Sequence, residues 1–194
     1  MFASAVTTVS GIAPRVLARA GQSNFVKRFA RAQEGAAAVE FALVAAPFLA
    51  LLFAIIETAL VFFAGQTLEY AATQSGRLIM TGQADAAAYD QTAFKNAVCA
   101  RIVALFDCQN NLYVNVQKYS TFGAASTATP FDGSGQFDKT KMGYQAGNPG
   151  DIIVVSLYYQ WPIFVSLFSD NLATQNGGNR LLVATSVFRN EPYK

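Results

Sequence analysis

A run of 24 residues, from 41 to 64, contains a single charged side chain, Glu57, and reads FALVAAPFLALLFAIIETALVFFA. As an α-helix it would be about 36 Å long, which is enough to cross a hydrocarbon core of about 30 Å with some tilt. A soluble core helix this apolar on every face would need a large protein around it, and a chain of 194 residues does not supply one. The run therefore predicts a helix that crosses a membrane once.

Charged residues are distributed unevenly around this run and predict its orientation. Five of the fourteen Lys and Arg residues lie before residue 36 with one acidic residue, whereas the chain from residue 36 onward has a net charge of −2. Positive charge near one end of a span holds that end in the cytoplasm. We therefore expect residues 1–35 to form a basic cytoplasmic leader, residues 36–65 the transmembrane helix, and residues 66–194 an exported domain.

A cleaved secretory signal is the competing interpretation, because it also combines a basic stretch with an apolar run. The apolar core of such a signal is usually about 7–15 residues long, which is shorter than the run found here. A small-residue cleavage site is also weak in this sequence, where Ala64-Gly65 is the nearest candidate. These two features favour a retained span.

Missing residue types narrow the chemistry. The chain has no histidine, which removes the usual general base and the usual zinc ligand. Its two cysteines cannot build a four-thiolate metal site, and it has neither a phosphate-binding glycine loop nor a GxSxG nucleophile motif. Residues after 36 lack the clustered Lys and Arg that nucleic-acid binding requires. We expect no catalysis, cofactor, metal, small-molecule substrate or nucleic-acid partner; a carboxylate-based hydrolase has no constellation of residues to support it.

The start of the apolar run carries a motif. Gly35 is followed by four small or apolar residues and then by Glu40 and Phe41, in the sequence GAAAVEF. This pattern resembles the processing site of type IV prepilins. In that superfamily a membrane aspartyl peptidase cuts after the glycine, and glutamate is the fifth residue of the mature chain. Counted from Ala36, Glu40 is the fifth residue.

More narrowly, residues 35–57, GAAAVEFALVAAPFLALLFAIIE, resemble the N-terminal signature of TadE-like proteins, the minor pilins of tight-adherence (Flp) pilus systems. That signature combines a run of small residues, the sequence VEFAL, a proline that is Pro47 here, and a second glutamate that is Glu57 here. Residues 181–193, LLVATSVFRNEPY, resemble the closing strand of the same proteins. Residues 1–22 have no counterpart in the motif, and we expect them to be a cytoplasmic tail or an over-extended start.

Elementary electrostatics gives the motif residues separate roles. Cleavage after Gly35 would create an α-amine on Ala36, and a carboxylate at a similar membrane depth would attract it strongly where water is scarce. Formed between subunits, that pair would fix the stagger of packed helices; within one chain its members are one helical turn apart, so an intramolecular pair also fits. We assign processing to Gly35 and Ala36, and subunit assembly to Glu40 and Phe41. The alternative is that Glu40 lies in the headgroup region and is simply solvated there.

Two residues interrupt the apolar run. Pro47 has no N–H to donate, so we expect it to kink or loosen the helix. Glu57 lies about 24 Å beyond Phe41 along a helix, in the outer third of a bilayer. Two interpretations of Glu57 stay open. Its side chain extends toward the exported face or a polar partner, or it makes a buried contact with another pilus component.

The rest of the chain predicts a small α+β domain. We expect the membrane helix to continue as an amphipathic stem to Met80 and to end at Thr81-Gly82, with a second helix over 92–106. Strands are predicted at 111–119, 151–161 and 181–189, a long loop at 120–150, and an apolar strand or helix at 162–168. The helix would pack on a small, mostly antiparallel sheet of three or four strands, which is also the pilin-like architecture that the resemblance implies.

Cys99 and Cys108 are nine residues apart in the predicted exported domain. Outside the cytoplasm such a pair favours a disulfide, whereas in the cytosol two buried thiols would be the default. The aspartates of the loop, Asp132, Asp138 and Asp151, lack the spacing of an EF-hand, so we expect them to be solvated loop residues.

The resemblance implies a minor pilin or pilus assembly component in a bacterial inner membrane, processed by a prepilin peptidase. Its expected partners are membrane lipid, other pilins and the assembly platform proteins of the pilus. The rival interpretation is an uncleaved, single-pass anchor for a periplasmic domain that binds envelope partners. Cleavage after Gly35 separates the two.

Overall fold

The computed structural model describes residues 33–102, 107–127, 130–163 and 179–193. In chain order these residues form helices α1 (Gln33–Met80), α2 (Gln83–Ala86), α3 (Gln91–Cys99) and α4 (Cys108–Asn111), then strands β1 (Leu112–Tyr119), β2 (Ile152–Pro162) and β3 (Asn179–Arg189). Helix and strand segments thus follow one another in an α+β arrangement, as the sequence predicts.

The three strands form an antiparallel sheet in the order β1-β2-β3. Leu112 pairs with Tyr159 and Tyr119 with Ile152 across β1 and β2, while Ile152 pairs with Arg189 and Trp161 with Arg180 across β2 and β3. The central strand reads as a nearly continuous apolar run because residues on both of its faces are buried.

The hydrophobic core begins within the second part of α1. The chain divides into two compact units between Leu49 and Ala50, and the second unit contains the sheet. Its helical part contributes a stripe of buried residues at three- and four-residue spacing to the core, namely Ala64, Leu68, Ala71, Ala72 and Ile79. The division at Leu49 and Ala50 describes packing within the chain. The predicted end of the membrane span at residue 65 describes where the helix leaves the bilayer, and it stays a prediction.

One face of the sheet packs on this stripe. The core cluster includes alternate residues of all three strands, namely Leu112, Val114, Val116, Ile153, Val155, Leu157, Tyr159, Leu182 and Ala184. Complete burial of one side chain the size of Leu68 contributes about 1.5–3 kcal/mol to stability. Small residues on the helix let β3 approach closely: a Cβ added to Gly76 would lie 2.8 Å from the Phe188 ring.

The opposite face of the sheet is covered over β1 and β2. The Phe137 ring lies between Tyr113 and Tyr158, with centroid distances of 4.7 and 5.9 Å. Over β3 the described residues cover the same face only in part, since Val183 and Val187 are about half exposed. The long β1–β2 connection, which the sequence predicts as a loop, therefore serves as a partial second layer; within it the structure describes two single-turn 3₁₀ helices, Phe122–Ala124 and Lys139–Lys141.

The C-terminal segment closes the end of α1. Gly82 has a φ of 76°, in the left-handed region that favours glycine, and its N–H donates to the Ile79 carbonyl at 3.0 Å. The Glu191 N–H donates to the Met80 carbonyl at 2.9 Å, which satisfies one of the acceptors that a helix end leaves open. The Tyr193 ring covers Gly82 so closely that an added Cβ would lie 2.5 Å from it.

Asn190 ties this segment to the β1–β2 connection. Its side chain is buried, and Nδ2 donates to the carbonyls of Ala146 at 2.9 Å and Asn148 at 3.2 Å. Its backbone N–H donates to the Asp151 carbonyl at 2.9 Å. We refer to residues 190–193 as the C-terminal clasp.

Most of the predicted elements are confirmed, with one change of length. α1 ends at Met80 and the strands begin and end within two residues of their predicted bounds. The predicted helix 92–106 is too long, because α3 ends at Cys99 and the chain then turns, with the Arg101 N–H donating to Val98. Residues 103–106 and most of the apolar segment 162–168 lie outside the described residues.

Candidate membrane-spanning and assembly segment

The first turns of α1 carry the residues predicted for processing and assembly. Gly35, Ala36, Glu40 and Phe41 all lie in helical backbone. Gly35 is partly exposed and the other three are exposed, Phe41 to 75 %. In the described part of the chain, nothing therefore covers the Glu40 carboxylate or the Phe41 ring.

Gly35 is not required by the fold that surrounds it. A Cβ built on Gly35 would meet no atom within 4 Å, and its φ lies outside the left-handed region. Gly82 is the opposite case, since its backbone conformation and the Tyr193 ring both demand glycine. Packing among the described residues thus gives no explanation for glycine at position 35.

Large apolar side chains remain exposed along α1 up to the point where the core begins. They are Val39, Phe41, Leu43, Val44, Phe48, Leu49, Leu51, Leu52, Phe53, Ile55, Ile56, Phe62 and Phe63. An apolar surface of this extent is far larger than soluble monomers expose. In the described part of the chain, α1 is long and apolar enough to cross a membrane. Among the described residues these side chains are exposed, so this first part of α1 differs from a buried core helix.

Pro47 lies inside α1, which continues from Gln33 to Met80. Proline has no N–H, so the Leu43 carbonyl one turn earlier lacks its usual donor. The sequence predicts a kink or a loosened turn here. The helix is not interrupted at this residue, and the kink itself stays a prediction.

Glu57 is buried within its own chain. It is 3 % exposed and lies on the same helical stripe as Val61, Ala64 and Leu68, one or more turns before the main core. Glu57 also takes part in a polar or electrostatic interaction within the chain. Residues of its own chain thus bury Glu57, and the two interpretations of its role stay predictions.

Cys99 and Cys108 are joined by a disulfide with a Cα–Cα separation of 5.7 Å. The bond links the end of α3 to the start of α4, where Asp107 caps the helix by accepting from the Asn110 N–H. Closing a loop of about ten residues adds on the order of 2–3 kcal/mol in the chain-entropy model. The bond thus holds the two short helices together.

Asp132 and Asp138 of the long loop accept hydrogen bonds from neighbouring residues of the same loop. Asp132 accepts from the Ser134 hydroxyl and from two backbone N–H groups, and the Ser134 hydrogen bond leads in holding the pKa of Asp132 below its ordinary value. Asp138 accepts from Thr140 in the same way, and these bonds lower its pKa. In the described ranges, no group of three or more Cys, Asp and Glu side chains could hold a metal ion.

Sequence reasoning did not single out Glu69 or Arg180, which line one groove between α1 and the start of β3. The two residues are 111 positions apart in the chain. Arg180 reaches the helix-facing side of the sheet because it pairs with Trp161, whose side chain lies in the core. Only the strand register could have revealed this proximity.

No curated protein and no solved structure is significantly similar to this chain. A match to a protein family begins at the glycine of the predicted processing motif and extends through most of the helical stem. Residues 35–77 match the family described as TadE-like protein, which confirms the resemblance seen in the sequence.

Proposed function

We propose that this chain is a minor pilin or assembly component of a tight-adherence (Flp) type IV pilus system. It is inserted in the bacterial inner membrane through α1, processed after Gly35 by a prepilin peptidase, and packed with other pilins and the assembly platform through the exposed first part of that helix. Its role is structural rather than catalytic.

The observation that carries this proposal is the family match itself. It begins at Gly35 and covers the part of α1 on which Glu40 and the apolar side chains up to Phe63 are exposed. We refer to the part of the chain that follows Ala64, where the hydrophobic core begins, as the head domain. α1 does not need this exposed apolar surface in order to support the head domain. The surface suits lipid before assembly and the helices of other subunits afterwards, because both are apolar.

The proposed function requires two steps, which are cleavage after Gly35 and pairing of the new α-amine with Glu40. Contacts within the described part of the chain do not explain glycine at 35, whereas a peptidase that approaches the scissile backbone closely would be hindered by a Cβ. The exposed Glu40 carboxylate is available to an α-amine that exists only after the cut. In an apolar fibre interior this pair would be held by a strong Coulomb attraction.

N-terminal sequencing of the membrane-associated protein tests the proposal directly. We expect the native chain to begin at Ala36 in cells that assemble pili, and to retain residues 1–35 in a strain without the prepilin peptidase. A chain that keeps Met1 to Gly35 in normally piliated cells would refute the pilin proposal and leave the uncleaved membrane anchor as the better interpretation.

Orientation is a separate prediction. We expect a reporter that works only outside the cytoplasm, such as alkaline phosphatase, to be active when it is fused after Asp85, beyond the end of α1. The basic residues before Gly35 should hold the leader inside. Activity of a cytoplasmic reporter at the same position, together with a silent phosphatase fusion, would show that the topology is inverted.

A further inference from the structure

A groove runs between α1 and the start of β3, and all of its lining residues belong to the compact unit that begins at Ala50. Its volume is about 430 Å³. The residues that matter for its chemistry are Val61, Phe62, Gly65, Glu69, Arg180 and Leu182. Apolar and charged side chains thus share one concave surface.

The groove changes character along the helix at the end of the apolar run. Val61 and Phe62 lie within the run, which ends at Ala64, whereas Glu69 lies more than one turn beyond it. If α1 is anchored in a bilayer as proposed above, the apolar part of the groove lies at the depth of the upper acyl chains. Its charged part lies among the headgroups.

Two side chains of opposite charge line the charged part of the groove. Arg180 is partly buried on the helix-facing side of β3, and Glu69 is exposed on α1. Among the described residues neither side chain has an ion-pair partner, since the salt bridges there join Lys118 to Asp151 and Lys141 to Asp138. A guanidinium is suited to a phosphate, and a carboxylate is suited to an ammonium group that can donate hydrogen bonds.

We propose that this groove binds a phosphoethanolamine lipid from the leaflet that faces the head domain. The phosphate lies against the Arg180 guanidinium, the primary ammonium donates to the Glu69 carboxylate, and the first acyl carbons pack on Phe62 and Leu182. An anionic phosphoglycerol headgroup satisfies Arg180 but offers no cation to Glu69. A phosphocholine headgroup has a cation without N–H donors.

The probe is the full chain reconstituted in vesicles of equal parts phosphatidylethanolamine, phosphatidylglycerol and phosphatidylcholine. Flotation with the vesicles first reports anchoring, which belongs to the proposed function. The complex is then extracted in mild detergent, and the lipids that it retains are quantified by mass spectrometry. A chain that fails to float refutes the anchor, whereas a chain that floats without selective lipid refutes the groove alone.

Three variants test, one at a time, the phosphate contact, the ammonium contact and the space that the lipid occupies. Arg180→Gln should lower the retained phosphatidylethanolamine about tenfold, because a hydrogen-bonded charge contact is lost. Glu69→Gln should keep lipid bound but remove the preference for ethanolamine over choline. Gly65→Leu should fill the groove, because position 65 lines it and a Cβ there meets no atom within 4 Å. Arg77→Gln, an exposed cation of the last helical turn, is the matched control and should change nothing.

Each variant is checked for folding by the emission of Trp161, the single tryptophan, which is buried in the core. Retention of all three lipids in vesicle proportions, or retention unchanged by Gly65→Leu in folded protein, would overturn the proposal. So would displacement of the lipid by inorganic phosphate. Oxidative cross-linking of two copies through Gln66→Cys, at an exposed position that lines the groove, would show that a second chain occupies it instead.

Discussion

Replacing Gly35 with valine should abolish the cut after residue 35 and leave a longer chain that is still inserted in the membrane. The side chain of valine would crowd the approach of a peptidase to the scissile backbone. It would not disturb the protein itself, since the space around Gly35 is open and its backbone conformation is ordinary. Gel mobility and N-terminal sequencing of the membrane fraction measure the result. A Gly35→Val chain that begins at Ala36 would contradict the processing role of this glycine.

Glu40 should show the complementary defect. Glu40→Ala and Glu40→Gln should both be cut to begin at Ala36 and yet fail to support piliation, because the new α-amine has no carboxylate to meet. Removing one partner of a desolvated charge pair costs about 3–5 kcal/mol, so the loss of pili should be severe. Imaging of pili alongside N-terminal sequencing separates the two steps.

Glu191→Gln is the matched control for Glu40→Gln. It removes an exposed carboxylate outside the matched family region, and its structural contact is made by the backbone N–H, which the variant keeps. We expect normal cutting and normal pili. Normal piliation by Glu40→Gln would rule out the amine–carboxylate pair and leave Glu40 as a solvated residue of the headgroup region.

Local sequence patterns were enough to predict the elements of this fold. The apolar run and its polar continuation give α1 through Met80, and alternation at Leu112, Val114 and Val116 gives β1 with those side chains buried. These predictions succeed because each depends on residues within about ten positions of one another. The sequence predicts too long an α3, since its apolar spacing continues past Cys99 whereas the backbone turns there.

Contacts between distant segments could not be read from the sequence. Nothing near Gly76 indicates that its missing side chain admits the Phe188 ring, and nothing near Asn190 indicates that its amide reaches Ala146 and Asn148. The burial of Glu57 is a similar case, because a glutamate in an apolar run does not show which part of the protein surrounds it. Such features depend on strand register and helix packing, which local periodicity does not specify.

The C-terminal clasp gives the largest expected effect on stability. Gly82→Val places a β-branched residue at a φ of 76° and drives its Cβ into the Tyr193 ring, 2.5 Å away. Backbone strain of this kind costs about 1–3 kcal/mol and overpacking about as much again. We expect the unfolding free energy to fall by about 3 kcal/mol and Tm by about 10 °C. Thermal unfolding of the full chain in detergent, followed by Trp161 emission, measures the change.

Two further variants identify the cause. Gly123→Val is the matched control, because a Cβ at Gly123 meets nothing within 4 Å and its φ is not left-handed; its effect should be within about 0.5 kcal/mol. Tyr193→Ala removes the ring that the valine strikes, so the double variant should lose less stability than the two single variants together. Strict additivity would show that the Tyr193 ring and residue 82 do not interact. Full stability of Gly82→Val would show that α1 can end without the left-handed glycine, and that the clasp does not depend on it.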